Sequence, residues 1–190
     1  MSFKDKVYVV TGLGGIGLAV AKQLHAAGAR LSLADISEKT LDAAVQSITA
    51  GTPDKNLMTT VVDISSSTAV NDWISATVSH FGRLDGAANM AGTIGKNHGV
   101  GRFVDLQDDE WDMLVGVNLS GMMHCLRAEV RAMMAQEGGC GSIVNASSIQ
   151  GLRGFPLHVA YSTTKHGVVG LTRSVAKEVG PGIRVNAVAP

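Results

Sequence analysis

The chain has 190 residues, 23 of them glycine, with 45% hydrophobic and 17% charged residues and equal numbers of acids and bases. That length suits one domain over residues 1–190 with a sizeable core, and abundant glycine beside only four prolines fits tight turns in a folded chain rather than collagen or a disordered tract. Zero net charge argues against a nucleic-acid binder, no apolar run approaches the ~20 residues of a membrane span, and two cysteines make neither a disulfide scaffold nor a metal cluster, so the chain reads as soluble and cytoplasmic.

The charged start, Met1 to Lys6, lacks the hydrophobic stretch of a secretory signal. Residues 6–11 then read as a strand running straight into Thr11-Gly12-Leu13-Gly14-Gly15-Ile16-Gly17. A helix striped by Ile16, Val20, Leu24 and Ala27 follows at once. Gly12, Gly14 and Gly17 match the G-x-G-x-x-G spacing of dinucleotide sites, which need a tight turn, an open approach of pyrophosphate to the backbone, and close helix–strand contact. The positive end of the helix dipole favours phosphate there, and Ile16 belongs with the expected contacts. A tight turn without a ligand is the alternative reading.

A second strand, 30–35, ends on Asp35, 18 residues beyond Gly17. A carboxylate there can accept both adenosine ribose hydroxyls and repels a 2′-phosphate, and Ile36 follows rather than an arginine, so NAD is favoured over NADP. Capping of the next turn is the other use for Asp35. Leu41, Val45 and Ile48 stripe a second helix. A third strand, 57–63, ends on Asp63, which either bonds the adenine amino group or caps a helix starting among residues 65–67. That helix carries Val70, Trp73, Ile74, Thr77, Val78 and Phe81 and stops at Gly82.

Residues 84–89 read as a fourth strand, and 92–101, with four glycines and no periodicity, as a loop. The stretch 106–137 is long enough for two helices, parted near 118–121. A fifth strand, 142–147, a last helix, 161–179, stopped by Gly180-Pro181-Gly182, and a sixth strand, 183–188, complete the series. Apolar strands alternating with helices give an α/β fold: a doubly wound, open, parallel, Rossmann-like sheet of about six strands with helices on both faces.

Tyr161 and Lys165 stand four residues apart near a helix start, on one face. A nearby cation favours the phenolate and suits it to proton transfer. Ser148, 13 residues before Tyr161, lies just past a strand end, where ligand crevices of such sheets sit. The histidines at 25, 80, 98, 124, 158 and 166 have no ligand spacing, so they read as surface or packed residues and no metal is expected. Gln150, Phe155 and His158 flank this segment and either line a substrate pocket or pack a loop.

Together these residues resemble the short-chain dehydrogenase/reductase family, whose signature is a Ser and a Tyr-x-x-x-Lys, with an Asn on the preceding helix, on a Rossmann sheet. The match runs over 6–190. Ser147-Ser148-Ile149 sits where the family has its catalytic serine, and the spacing selects Ser148. Val117-Asn118-Leu119-Ser120-Gly121 resembles the segment of the family's catalytic asparagine, implying Asn118. Asn89-Met90-Ala91-Gly92 resembles its Asn-Asn-Ala-Gly motif with Met90 in the second place, and Asn89 joins the expected cofactor contacts. Arg184 to Pro190 resembles the strand leading to the turn beside the nicotinamide.

The resemblance implies an NAD(P)-dependent oxidoreductase moving a hydride between nicotinamide and a small secondary alcohol or ketone. Tyr161 is then the general acid/base, Ser148 bonds the same substrate oxygen, Lys165 supports the phenolate and bonds the nicotinamide ribose, and Asn118 holds a relay water. A homo-oligomer is implied as well. The family's Thr-Gly-x-x-x-Gly-x-Gly turn is one residue longer than Thr11 to Gly17. A typical member has about 250 residues, so the comparison also leads us to expect a chain ending at the sixth strand without the family's C-terminal strand, helix and lid. A catalytically impaired nucleotide-binding or interaction fragment is the alternative function.

Overall fold

A computed structural model describes residues 2–190. Its strands are β1 (Val7–Thr11), β2 (Arg30–Asp35), β3 (Leu57–Val61), β4 (Gly86–Asn89), β5 (Gly141–Ala146) and β6 (Ile183–Val188). Its helices are α1 (Ile16–Ala26), α2 (Glu38–Thr49), α3 (Ser67–Phe81), α4 (Asp108–Leu114), α5 (Met122–Ala135) and α6 (Val159–Val179). The strands form one parallel sheet in the order β3-β2-β1-β4-β5-β6. This is the expected doubly wound architecture, and the strand order reverses between β1 and β4, where such sheets open a crevice at the carboxyl ends of their strands.

Strand alternation divides the core into two layers. Val7 and Val9 of β1 pack with Trp73 and Ile74 of α3 and Cys125, Leu126 and Met133 of α5, while the next residue along, Val10, packs with Leu31 and Leu33 of β2, Ala21 of α1 and Leu41 of α2. Ser32, buried on the α3 side of β2, accepts from Trp73 Nε1 and shares a hydrogen bond with Thr77 Oγ1, both at 2.8 Å, and with Thr77 Oγ1 donating on to the Trp73 carbonyl (2.9 Å) the burial leaves no unpaired hydroxyl. Helix ends follow ordinary capping: Ser37 Oγ accepts from the Thr40 amide, Ser66 Oγ accepts from the Ala69 amide, and Gly82 ends α3 at φ 81°.

Three differences from the sequence reading bear on the site. β3 stops at Val61, so Asp63 lies two residues past the strand. β5 stops at Ala146, so both Ser147 and Ser148 lie beyond it. The stretch 106–137 does not part into two helices; α4 continues through a π-helical segment, Val115–Gly121, into α5. Wider π turns keep the helix going while shifting the residues that face inward, a distortion often found at functional sites. Gly121 is needed here because an added Cβ would stand 2.8 Å from Ile64 Cγ1.

A polar strip runs through the α5–α6 side of the core. Asn89 Nδ2 donates to Glu129 Oε2 (2.9 Å) and to Asn145 Oδ1 (3.1 Å), and Asn145 Nδ2 donates to Thr172 Oγ1 (3.0 Å). Among the described residues only Asn89 Oδ1 and Glu129 Oε1 are buried side-chain oxygens or nitrogens without a partner. Burial raises the Glu129 pKa to about 7, with the Asn89 hydrogen bond opposing the shift. A proton on the carboxyl turns one of these acceptors into a donor.

Below pH ~4.5 both folded and unfolded chains hold the Glu129 proton and nothing is lost. Between there and pH ~7 the unfolded chain ionises first and stability falls, by about 3 kcal/mol in total. Glu129→Gln, whose amide can donate where the acid proton did, is expected to flatten this slope and to raise stability above pH 7 by up to that amount. Urea unfolding at pH 5 and pH 8 measures it, and an unchanged slope would contradict the account.

Candidate functional site

The site begins where β1 and β4 end. Thr11 Oγ1 accepts hydrogen bonds from the Met90 and Ala91 amides (3.1 and 3.3 Å), binding the loop after β4 to the turn after β1. Gly12, at φ 74°, lies so close that an added Cβ would stand 2.5 Å from Ala91 Cα, and one on Gly17 would overlap the Gly12 carbonyl oxygen. Nothing lies within 4 Å of a Cβ built on Gly14 or Gly15. Gly12 and Gly17 are thus required by packing, whereas Gly14 and Gly15 leave open the cleft that their turn borders. Ile16, the first residue of α1, lines that cleft and is 54% exposed.

Asp35, at the tip of β2, accepts from the Leu13 amide through Oδ2 (2.8 Å) and from the Ser37 amide through Oδ1 (3.0 Å). It therefore caps its own turn and also staples the glycine turn to β2. Asp63 Oδ1 accepts from the Ser65 amide (2.9 Å) and hydroxyl (2.7 Å), while Ser66 caps α3. Both carboxylates line a cavity of about 240 Å³, shared with Gly12, Ile36, Ile64 and Gly92. Asn89, expected among the cofactor contacts, has its side chain buried within the sheet layer and bonded to Glu129 and Asn145.

Across the cleft, Tyr161 stands in the first turn of α6 with the Lys165 Nζ 5.5 Å from its ring centroid. Lys165 is 3% exposed, and Nζ donates to the Ala146 carbonyl (2.9 Å). Burial lowers the Lys165 pKa to about 8. Ser147 and Ser148 have different surroundings. The Ser147 hydroxyl donates to the Lys165 carbonyl (2.9 Å) and is buried in the helix contact, whereas Ser148 Oγ caps the short turn Ile149–Gly151 and donates to the Pro190 carbonyl (3.3 Å). Asn118, in the π-helical segment, accepts from the Thr93 amide and donates to the Thr93 carbonyl, both at 2.8 Å, with Thr164 Oγ1 3.4 Å from Nδ2. Gly92 packs against both Asn118 and Lys165, where an added Cβ would stand 3.1 and 3.4 Å away.

Beside Tyr161 opens a cavity of about 280 Å³, lined by the 94–106 loop and the start of α6. Two histidines meet in its wall, His98, read from the sequence as a surface or packed residue, and His158, read as lining a substrate pocket or packing a loop: His98 Nε2 lies 2.9 Å from His158 Nδ1, and the His98 ring is edge-on to Tyr161 at 5.0 Å. Burial, then the neighbouring His158, lowers the His98 pKa and favours the neutral ring. No local signal marks His98, because loop closure across 60 residues creates the pairing. The described residues hold no group of three side chains able to bind a metal, and no helix is long and apolar enough to cross a membrane.

A family model described as enoyl-(acyl carrier protein) reductase matches residues 11–190. The short-chain dehydrogenase/reductase ABA4 of Pyricularia oryzae is 49% identical over 97% of this chain and 68% of its own length. Among solved structures, levodione reductase superposes with a TM-score of 0.92 at 41% identity, covering 99% of this chain and 72% of that one. NAD+-bound xylitol dehydrogenase does so with a TM-score of 0.91 at 34% identity, covering 100% and 71%.

The glycine turn yields a direct test. Gly17→Ala is expected to cost about 1–3 kcal/mol of stability by forcing a backbone shift, whereas Gly14→Ala stays within about 0.5 kcal/mol. Thermal denaturation of both variants checks this, and equal losses would refute the division of roles.

Proposed function

The chain belongs to the short-chain dehydrogenase/reductase family of oxidoreductases, and from that premise we propose that residues 1–190 form a single NAD-binding unit that interconverts a small secondary alcohol and its ketone. The observation that carries the reading is Lys165. An ammonium this deeply buried costs free energy, as its lowered pKa records. A backbone carbonyl accepts from only one of its three N–H groups, and Nζ stands near the Tyr161 ring. A charge kept in that position serves to favour the phenolate and to meet a ligand hydroxyl in the cleft.

The residues fit a dinucleotide. Gly14 and Gly15 put no side chain into the cleft at the head of α1, where backbone N–H groups and the helix dipole receive phosphate. Gly12 and Gly17 hold that turn in shape, and Ile16 borders it. Asp35 has lone pairs beyond the two used by Leu13 and Ser37, which suit adenosine ribose hydroxyls and disfavour a 2′-phosphate. Asp63 borders the adenine end of the same cleft, and Asn89 contributes through the backbone position it fixes. Bound NAD supplies the hydride acceptor or donor at its nicotinamide carbon.

This chain's own groups handle the proton. Tyr161 gives its phenolic proton to the carbonyl oxygen in reduction and takes it back in oxidation. Ser148, at the carboxyl end of β5, holds that oxygen by a hydrogen bond. Lys165 stabilises the phenolate between turnovers, and Asn118 fixes the Thr93 segment and holds a water through which the proton leaves. The cleft and the cavity beside Tyr161 open next to each other, so cofactor and substrate meet at one phenol.

Tyr161→Phe is expected to lower kcat by about 100- to 10,000-fold while the NAD dissociation constant stays within about twofold. Stopped-flow absorbance of NADH and calorimetric titration read the two quantities, and retained turnover removes Tyr161 from its role. Calorimetry should also find NAD bound at least about tenfold more tightly than NADP; the opposite order would overturn the reading of Asp35.

A further inference from the structure

The loop that walls the cavity beside Tyr161 is tied down by a carboxylate that no proton step uses. Helix α4 opens with three acids, Asp108, Asp109 and Glu110, and any of them would serve its dipole. Glu110 also reaches back to the loop: Oε1 accepts from the Asn97 amide (2.9 Å) and Oε2 from Asn97 Nδ2 (2.7 Å). An ionised carboxylate only accepts, so this partner fixes which way the Asn97 side chain turns. The two bonds, the backbone one first, hold the Glu110 carboxyl below the usual carboxylate range, and it stays ionised at neutral pH.

Asn97 is in turn the hub of its loop, because its carbonyl accepts from the Val100 and Gly101 amides (3.1 and 2.8 Å). Gly95 makes the close approach possible: it lies at φ 79°, and an added Cβ would stand 2.5 Å from Glu110 Oε1. A second anchor follows two residues on, where the Gly99 amide donates to the Leu157 carbonyl (3.0 Å). Leu157 is held at φ 67°, a conformation that costs a leucine free energy and persists only where its surroundings enforce it. Between the two anchors stands His98, whose ring is edge-on to Tyr161 at 5.0 Å. Ile94, Val100, Phe103 and Leu157 make much of the cavity lining apolar.

We propose that Glu110 is a positioning residue which, through Asn97, holds residues 94–98 in place as the wall of the substrate cavity at Tyr161. Without that hold, a ketone entering the cavity has to meet the cost of ordering the wall, which raises KM. The Thr93 end of the loop is pinned separately by Asn118, so the cofactor side of the cleft keeps its shape. This rests on the oxidoreductase reading, with Tyr161 at the ketone oxygen.

The test uses cyclohexanone, a small uncharged ring suited to an apolar wall, with NADH. Glu110→Ala is expected to raise its KM by about five- to twentyfold, with kcat within about threefold and the NADH dissociation constant within about twofold. Asn97→Asp, which sets a second carboxylate against Glu110, should do the same. The double variant Asn97→Asp/Glu110→Gln exchanges donor and acceptor across the contact and should bring KM back to within about threefold of the unsubstituted protein. Saturation-transfer NMR of cyclohexanone with NAD+, which cannot reduce it, reads binding without turnover and should rank the four proteins as KM does.

An unchanged KM in Glu110→Ala overturns the proposal. So does a loss of NADH affinity in parallel with KM, which would make the contact a support of the whole fold, or a double variant no better than Asn97→Asp alone. If cyclohexanone is not reduced, yet NMR gives the expected ranking, the positioning role stands and the oxidoreductase reading fails. Neither turnover nor binding of cyclohexanone by the unsubstituted protein overturns the proposal as well.

Discussion

The site depends on how closely two backbones approach at the reversal of strand order. β1 has β2 on one side and β4 on the other, and past the ends of β1 and β4 the chain must turn away in opposite directions. Gly12 and Ala91 meet in that gap, with the Thr11 hydroxyl accepting from the two amides that follow Asn89. A side chain at Gly12 would force the loops apart and with them both walls of the cleft. The glycine turn, the Thr93 segment pinned by Asn118, and the Lys165 side chain beneath Gly92 all take their positions from this one approach.

The core beneath the cleft is polar where a doubly covered sheet is ordinarily apolar. Glu129, Asn89, Asn145 and Thr172 form a continuous strip from α5 through β4 and β5 to α6, and Lys165 lies buried at the head of α6. Such groups stabilise a fold only when their partners are complete, and here the strip leaves two oxygens unpaired and Lys165 keeps donors to spare. The incomplete pairing at Glu129 is inside the core and bears on stability. That at Lys165 lies against Gly92, which lines the cleft, so the proposed ligand would be the group to complete it. Two buried ionisable groups thus differ in place, one beside a residue that lines the cleft and the other inside the core.

Much of this was legible in the sequence. Strands 30–35 and 183–188 have the bounds expected, because each is an unbroken run favouring extended chain between clear turn signals. Gly82 stops α3 as read, since only a left-handed residue closes that helix without strain. The π-helical segment was not legible: a one-residue widening leaves the apolar period nearly unchanged, and the stretch 118–121 suggested a break instead. The Asn89–Glu129 bond was not legible for a similar reason, since the two stand 40 residues apart and no local pattern marks an acid destined for the core. His98 belongs to a loop without periodicity, so its meeting with His158 is written only in how that loop closes.

The shortened glycine turn illustrates how one residue can satisfy two readings that looked exclusive. In this turn, one residue shorter than the pattern of the family it resembles, the Leu13 amide lies 2.8 Å from Asp35 Oδ2, and Ser37 takes the other carboxylate oxygen. Asp35 is therefore a cap. A carboxylate offers about four acceptor positions, however, and two backbone amides fill half of them. The remaining pair matches in number the two hydroxyls of a ribose, and the backbone bonds fix the orientation in which those positions are offered. Capping then prepares the carboxylate for the proposed cofactor contact, and the acid that staples the glycine turn is the one that would tell NAD from NADP.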